Sequence, residues 1–207
     1  MVRSFNKTQL ELPMARPREF DEERVLGAVM DIFWQQGYEA TSAQDLVDAT
    51  GLGRGSLYAA YTSKSGLFEQ ALLRYNRQSR ENVERLQASG SVLDGLRELL
   101  LGIIDADLKG PEKRGCLATN SALELAGRDH HVADLVRQNF GIMSAGIHDA
   151  IARGQKTGEI RTDRDPEDLA HYVFNAMQGL RVLAKTATQQ QRGRLVSVIE
   201  QTLEGLG

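Results

Sequence analysis

Between residues 132 and 151 the apolar side chains recur as Val132, Val136, Phe140, Met143, Ile147 and Ile151. That interval is helical and is held for about five turns, so one stripe of a long helix must be buried against other helices. The same period returns elsewhere. Val25, Ala28, Val29, Ile32 and Phe33 follow Asp21, and Leu67, Phe68, Ala71, Leu72 and Tyr75 follow Ser63. Ser91 is placed to cap SVLDGLRELLLGIIDADL, residues 91 to 108. Asp165-Pro166 reads as the cap and first position of a helix carrying Leu169, Val173, Phe174, Met177 and Leu180. A last helix carries Leu195, Val198, Ile199 and Leu203. No segment shows a convincing strand alternation, so an all-α fold is expected.

Composition narrows the function. The 207 residues include 25 Lys and Arg against 28 Asp and Glu, a formal net charge of -3. A general polycation is excluded, so any nucleic-acid contact must come from a local basic surface. Cys116 is the single cysteine, which rules out an intrachain disulfide and fits a reducing cytoplasm. No apolar run reaches membrane-spanning length, and MVRSFNKTQLELPMARPREF lacks an apolar signal core. His130 and His131 are adjacent, so a helix points them about 100° apart, and His148 and His171 are isolated. No metal site is expected from them.

The stretch TGLGRGSLYAAYTSK, residues 50 to 64, packs three glycines before an aromatic pair. A phosphate-cradling loop would need a strand before it and a long helix behind it. Here a helical pattern precedes and only about two helical turns follow, so two short helices joined by a glycine turn, a helix-turn-helix, fit better. Gly51 allows the positive φ of the reversal, and Gly53 takes the N-cap position. With Leu57 inward, Arg54, Gly55, Ser56, Tyr58 and Ala59 lie nearer the outer face, where an arginine can donate to guanine or phosphate. The four residues Thr41-Ser42-Ala43-Gln44 have the form of a capping box at the preceding helix.

FWQQGYEATSAQDLVDATGLGRGSLYAAYTSKSGLFEQAL, residues 33 to 72, resembles the DNA-binding domain of TetR-family transcriptional repressors. The matching residues are Gly37-Tyr38, Thr41-Ser42, Gly51, Leu57-Tyr58, Tyr61, Lys64 and Leu67-Phe68. Gly53 stands where the family usually has Ser or Thr, and Tyr61 where it usually has Phe. The resemblance implies a flexible arm at 1–17, a helix-turn-helix domain at 18–64 and a ligand-binding and dimerisation domain at 65–207. It implies that Thr41 and Ser42 hold a phosphate, that Arg54, Gly55, Ser56 and Tyr58 face the major groove, and that Tyr61 and Lys64 approach the backbone. Arg16 and Arg18 would reach the minor groove, with a solvated tail as the competing reading. MARPREF looks like the start of many such regulators, which makes Met14 a second candidate start. The partners implied are double-stranded operator DNA, a second copy of the chain and an inducer, with no cofactor and no membrane.

Within that family, RGCLATNSALEL at 114 to 125 looks like the NemR-type electrophile-sensing repressors. Cys116 lies at a loop-to-helix junction beside Lys113 and Arg114, a setting that favours thiolate. A buried, inert thiol is the alternative. The expected cavity lining is Cys116, Asn120, Phe140, Met143, Ile147, Phe174 and Met177, with core packing as the competing role of the apolar ones. Trp34 is assigned to the DNA-reading unit and not to the cavity. Ala176, Gly179 and Ala184 are small residues that suit close approach of the last two helices to a partner. Two other functions stay open: a thiol-dependent enzyme using Cys116 with a histidine base, and a helical interaction module without DNA binding.

Overall fold

The computed structural model describes residues 21–110 and 112–207. Met14, Arg16 and Arg18 lie outside them. The elements are α1 (Glu22–Gln36), α2 (Ala43–Thr50), α3 (Arg54–Tyr61), α4 (Lys64–Ala88), α5 (Val92–Lys109), α6 (Leu117–Leu125), α7 (His130–Thr157), α8 (Pro166–Thr186), a short 3-10 turn (Gln189–Gln191) and α9 (Arg192–Glu204). No strand occurs among the described residues, as the period of the apolar side chains requires.

The helix ends are set by local chemistry. Asp21 accepts from the Arg24 N–H, Ser63 from Gly66, Ser91 from Asp94, and Asp165 from Glu167 ahead of Pro166 at the first position. The capping box of α2 is shifted by one residue from the expected one. Ser42, not Thr41, is the cap, and its reciprocal partner is Asp45, not Gln44. Both bonds from Ser42 hold the Asp45 carboxyl below its ordinary pKa. Thr41 is instead fully buried, with its hydroxyl donating to the Gly37 carbonyl at 2.6 Å. The helix whose apolar stripe closes at Ile151 runs on to Thr157, and Gly158 ends it in the left-handed region.

Two buried clusters form. One joins α1, α2, α3 and the first half of α4 to Cys116, Leu117, Ala118, Leu125, Val132, Leu135 and Val136. The other joins Leu86 of α4 to α5, α8, α9 and the second half of α7. α4 and α7 pack along each other and pass through both. Where they meet, Asn139 donates to Asn76 at 2.8 Å and to Ser79 at 2.9 Å, so the buried amides are satisfied. Gly146 is required there, since a Cβ would lie 2.5 Å from Val83.

Candidate nucleic-acid interface and sensing cavity

The helix-turn-helix forms because its inner residues are apolar and its corner is glycine. Leu46 and Leu57 are fully buried. Gly51 adopts φ 70° and its N–H donates to Val47 at 2.9 Å, closing α2 before the chain turns into α3. Gly53 caps α3 without a side-chain bond. The outer face of α3 then carries Arg54, Gly55, Ser56 and Ala59, all exposed. Tyr58 is half-buried, with the Arg54 guanidinium 5.9 Å from its ring centre. Ser42 is exposed at the N-terminus of α2. Lys64 opens α4 with its ammonium 4.5 Å from the Tyr38 ring, next to α2.

Thr41 and Tyr61 differ from the others. Both are buried, so neither presents its side chain on that face. They shape it from within.

α6 grips the turn behind this surface. Glu124 accepts from the Tyr38 N–H at 2.9 Å and from Glu39 at 2.7 Å. A carboxylate from residue 124 therefore fixes the loop that aims Ser42. The sequence separation, over eighty residues, left no local signal for it.

A cavity of about 700 Å³ opens between α1, α4, α5, α8 and the 110–115 loop. Its lining differs from the expected one. Cys116, Asn120, Phe140, Met143, Ile147, Phe174 and Met177 are not part of it. Met143, Ile147 and Met177 are consumed by core packing, and Phe140 and Phe174 stack edge-on at 5.6 Å. Asn120 spends its amide on the Arg114 carbonyl at 2.9 Å. Trp34, which the sequence assigned away from the cavity, is one of its walls. The Trp34 indole N–H donates to Gly115 at 3.2 Å, and the Arg114 guanidinium lies 4.5 Å from its ring centre. Arg114 is in turn paired with Asp31 at 2.6 Å. These contacts tie α1 to the loop that leads into Cys116.

Cys116 lies one side chain behind the cavity. It caps α6, accepting from Thr119 N–H at 3.4 Å, and receives the Tyr75 hydroxyl at 3.3 Å. Tyr75 in turn accepts from Arg181 at 3.2 Å. Burial alone would push the thiol pKa up. The nearby Arg181 charge and the bonds from Thr119 and Tyr75 outweigh it and hold the thiol below its ordinary value. Burial raises the Tyr75 phenol, so this hydroxyl stays protonated. Cys116 is itself buried, and its hydrogen-bond partners include no histidine base.

Residues 92–198 match the family model of the tetracyclin repressor-like C-terminal domain, and residues 25–71 match that of bacterial regulatory proteins of the tetR family. The chain belongs to the TetR family. Among relatives of this TetR-family protein, the uncharacterized HTH-type transcriptional regulator YezE of Bacillus subtilis (strain 168) is 32% identical over 86% of this chain and 93% of its own. The HTH-type transcriptional repressor ComR of Escherichia coli (strain K12) is 28% identical over 86% of this chain and 85% of its own. A solved structure of a cysteine mutant of the TetR family regulator CifR, complexed with 26-bp double-strand operator DNA, superposes with a TM-score of 0.80. It is 33% identical and covers 93% of this chain and 100% of that one. The helix-turn-helix of this TetR-family protein falls inside the N-terminal match, and most of the cavity wall falls inside the C-terminal match.

Proposed function

We propose that this TetR-family protein is a dimeric, cytoplasmic transcriptional repressor that binds a palindromic operator and is released by an inducer. The observation that carries the reading is the outer face of α3. Arg54, Gly55, Ser56 and Ala59 stand exposed over a rigid pair of buried leucines, so a helix with small side chains and one guanidinium is free to enter a groove. Ser42 and Lys64 flank it as phosphate contacts, and the arm holding Arg16 and Arg18 follows the minor groove. The structures of CifR cysteine mutants complexed with operator DNA support the same docking.

Dimerisation uses α8 and α9. Tyr172, Val182, Leu183 and Val198 are exposed there, and Gly179 lies between them on the same face of α8. Ala184, expected on this surface, is fully buried within the subunit and does not contribute. A two-fold axis through this face presents two α3 helices to half-sites about one helical turn apart.

The inducer acts through the cavity or through Cys116. Either route bears on α4, by way of Tyr75, and on α1, by way of Trp34. An enzyme reading has little support, because the thiol lacks a base and the matched families are regulators. Selecting DNA fragments with the purified protein, then footprinting the winners, tests the reading. Protected inverted repeats are expected, and retention without sequence preference would sink it. The thiol route predicts that an electrophile releases operator DNA from wild type but not from Cys116→Ser. A normal response in Cys116→Ser leaves the cavity as the sensor.

A further inference from the structure

The floor of the cavity holds a cation that makes no direct ion pair among the described residues. Arg181 of α8 lines it beside Tyr75 and Asp107. A guanidinium stays protonated at any working pH, and an enclosed charge is costly unless an opposite charge meets it. Nη1 of Arg181 donates to the Tyr75 hydroxyl at 3.2 Å. Its Nε is buried with no hydrogen-bond partner, and its Nη2 has none among the described residues. No described carboxylate forms an ion pair with it. Asp107 is near enough for its charge to act on the guanidinium, but it makes no hydrogen bond to it, and its Oδ1 accepts from the Gly115 N–H at 2.9 Å.

The remaining acids of the cavity are at its mouth. Asp31, Glu98 and Glu112 are exposed, Asp31 is neutralised by Arg114 at 2.6 Å, and Glu112 accepts from Gln35. A polyanion entering past them would be repelled, whereas a single negative group is tolerated. Between mouth and floor stand Trp34, Leu99 and Ile103, a wall for an apolar body. The volume, about 700 Å³, is that of a small-molecule site.

We propose that the cavity binds an organic monocarboxylate, its carboxylate on the Nη end of the Arg181 guanidinium and its hydrocarbon body against Trp34, Leu99 and Ile103. The inference rests on reading the cavity as the sensor of the proposed repressor, but the site itself is tested without DNA. Trp34 is the single tryptophan, so its fluorescence reports occupancy directly. The probes are 4-phenylbutyrate, its primary amide and the corresponding amine, which share one body and differ in head-group charge.

Calorimetry and Trp34 fluorescence should give at least about ten-fold tighter binding of the acid than of the amide, with the amine weakest. Arg181→Met should abolish that order. Should Arg181→Met not fold, Arg181→Lys decides. It keeps the charge, loses the forked donors, and should weaken the acid several-fold while leaving the amide alone. Amide binding equal to acid, no acid binding up to millimolar concentration, or an unchanged preference in the folded variant overturns the proposal. Operator affinity is read separately. Acid that binds in the predicted order but leaves operator affinity unchanged supports the site and overturns the sensor reading. Release of operator by the amine or amide in preference to the acid overturns the site and leaves the repressor standing.

Discussion

The core beneath the helix-turn-helix sets aromatic rings among its aliphatic side chains, whereas the buried core of α5, α8 and α9 is aliphatic throughout. In the first, Phe33 meets Phe68 edge-on at 5.0 Å, Tyr38 packs on Phe68 at 4.9 Å and Trp34 on Tyr75 at 5.0 Å. In the second, Leu96, Leu100, Ile104, Ile147, Ile151, Leu180 and Ile199 interdigitate. The difference follows from helix length. α2 and α3 have 8 residues each, bury only Leu46 and Thr50 in one and Leu57 and Tyr61 in the other, and must leave an outer face free. The rings that hold them in place stand on the neighbouring α1 and α4 and in the loop after α1, and give large contact area at few positions. The short-helix core also borrows from outside, since α6 and the first half of α7 complete it. The helix-turn-helix and the thiol thus share one buried cluster.

The strongest way to break this comparison is to excavate each core. Leu57→Ala and Ile104→Ala should each cost about 2–5 kcal/mol, because both side chains are fully buried. Since α4 and α7 run through both clusters, chemical denaturation should remain one transition for both variants, with tryptophan fluorescence and circular dichroism coincident. A separate early transition in Leu57→Ala would show that the clusters unfold independently.

On the reading face the expected effects are smaller. Arg54→Ala should cost about 1–3 kcal/mol of operator affinity and relax preference at one base pair. Lys64→Ala should weaken all sequences alike and lower the salt slope by about one. Binding of both variants at wild-type strength across a salt series would refute the docking.

What was legible in the sequence divides along the same line. The helix stripes, the caps at Ser91 and Asp165, and the Gly51 corner are effects of neighbours within a few residues, so they could be read directly. Ser42 and Asp45 were within reach too, but Thr41 offered an equally good local pattern. The cavity was not readable. Trp34 meets Gly115, and Arg181 meets Tyr75, only after the helices pack. The expected lining chose apolar stripe residues, and those are the ones the helices bury against each other. The actual wall comes from helix faces such as Tyr75, Gln78, Ser79, Asn82 and Leu86 of α4, which keep the helical spacing but mix polar with apolar residues, so no apolar stripe marks them.

Glu124 sharpens the claim that α6 belongs to the reading unit. Glu124→Ala leaves the Tyr38 and Glu39 N–H groups without their acceptor. The loop is only part-buried, so water replaces some of that loss, and about 1 kcal/mol of stability is expected to go. Operator affinity should fall with it, although residue 124 lies outside the helix-turn-helix. Equal operator affinity at full folding would separate α6 from DNA reading.

The smallest effect concerns how the aliphatic core is fastened at its surface. Asp105 of α5 accepts from Arg192 of α9 at 2.7 and 3.0 Å and from Lys109 at 2.8 Å. The Arg192 guanidinium, helped by Lys109, holds the Asp105 carboxyl down at about 2. The folded value lies below the unfolded one, about 3.9, so the pair stabilises fully above that pH and its contribution is lost as pH falls towards 2. The pair is partly exposed, which limits its worth to about 1 kcal/mol or less. Asp105→Asn should therefore melt slightly below wild type at pH 7, with the gap closing between about pH 4 and 2. Arg97 and Glu200 make a second α5–α9 bridge at 3.0 Å, so the variant should still fold. A gap that stays constant through that acid range would mean the substitution acts by packing and not through the carboxylate charge.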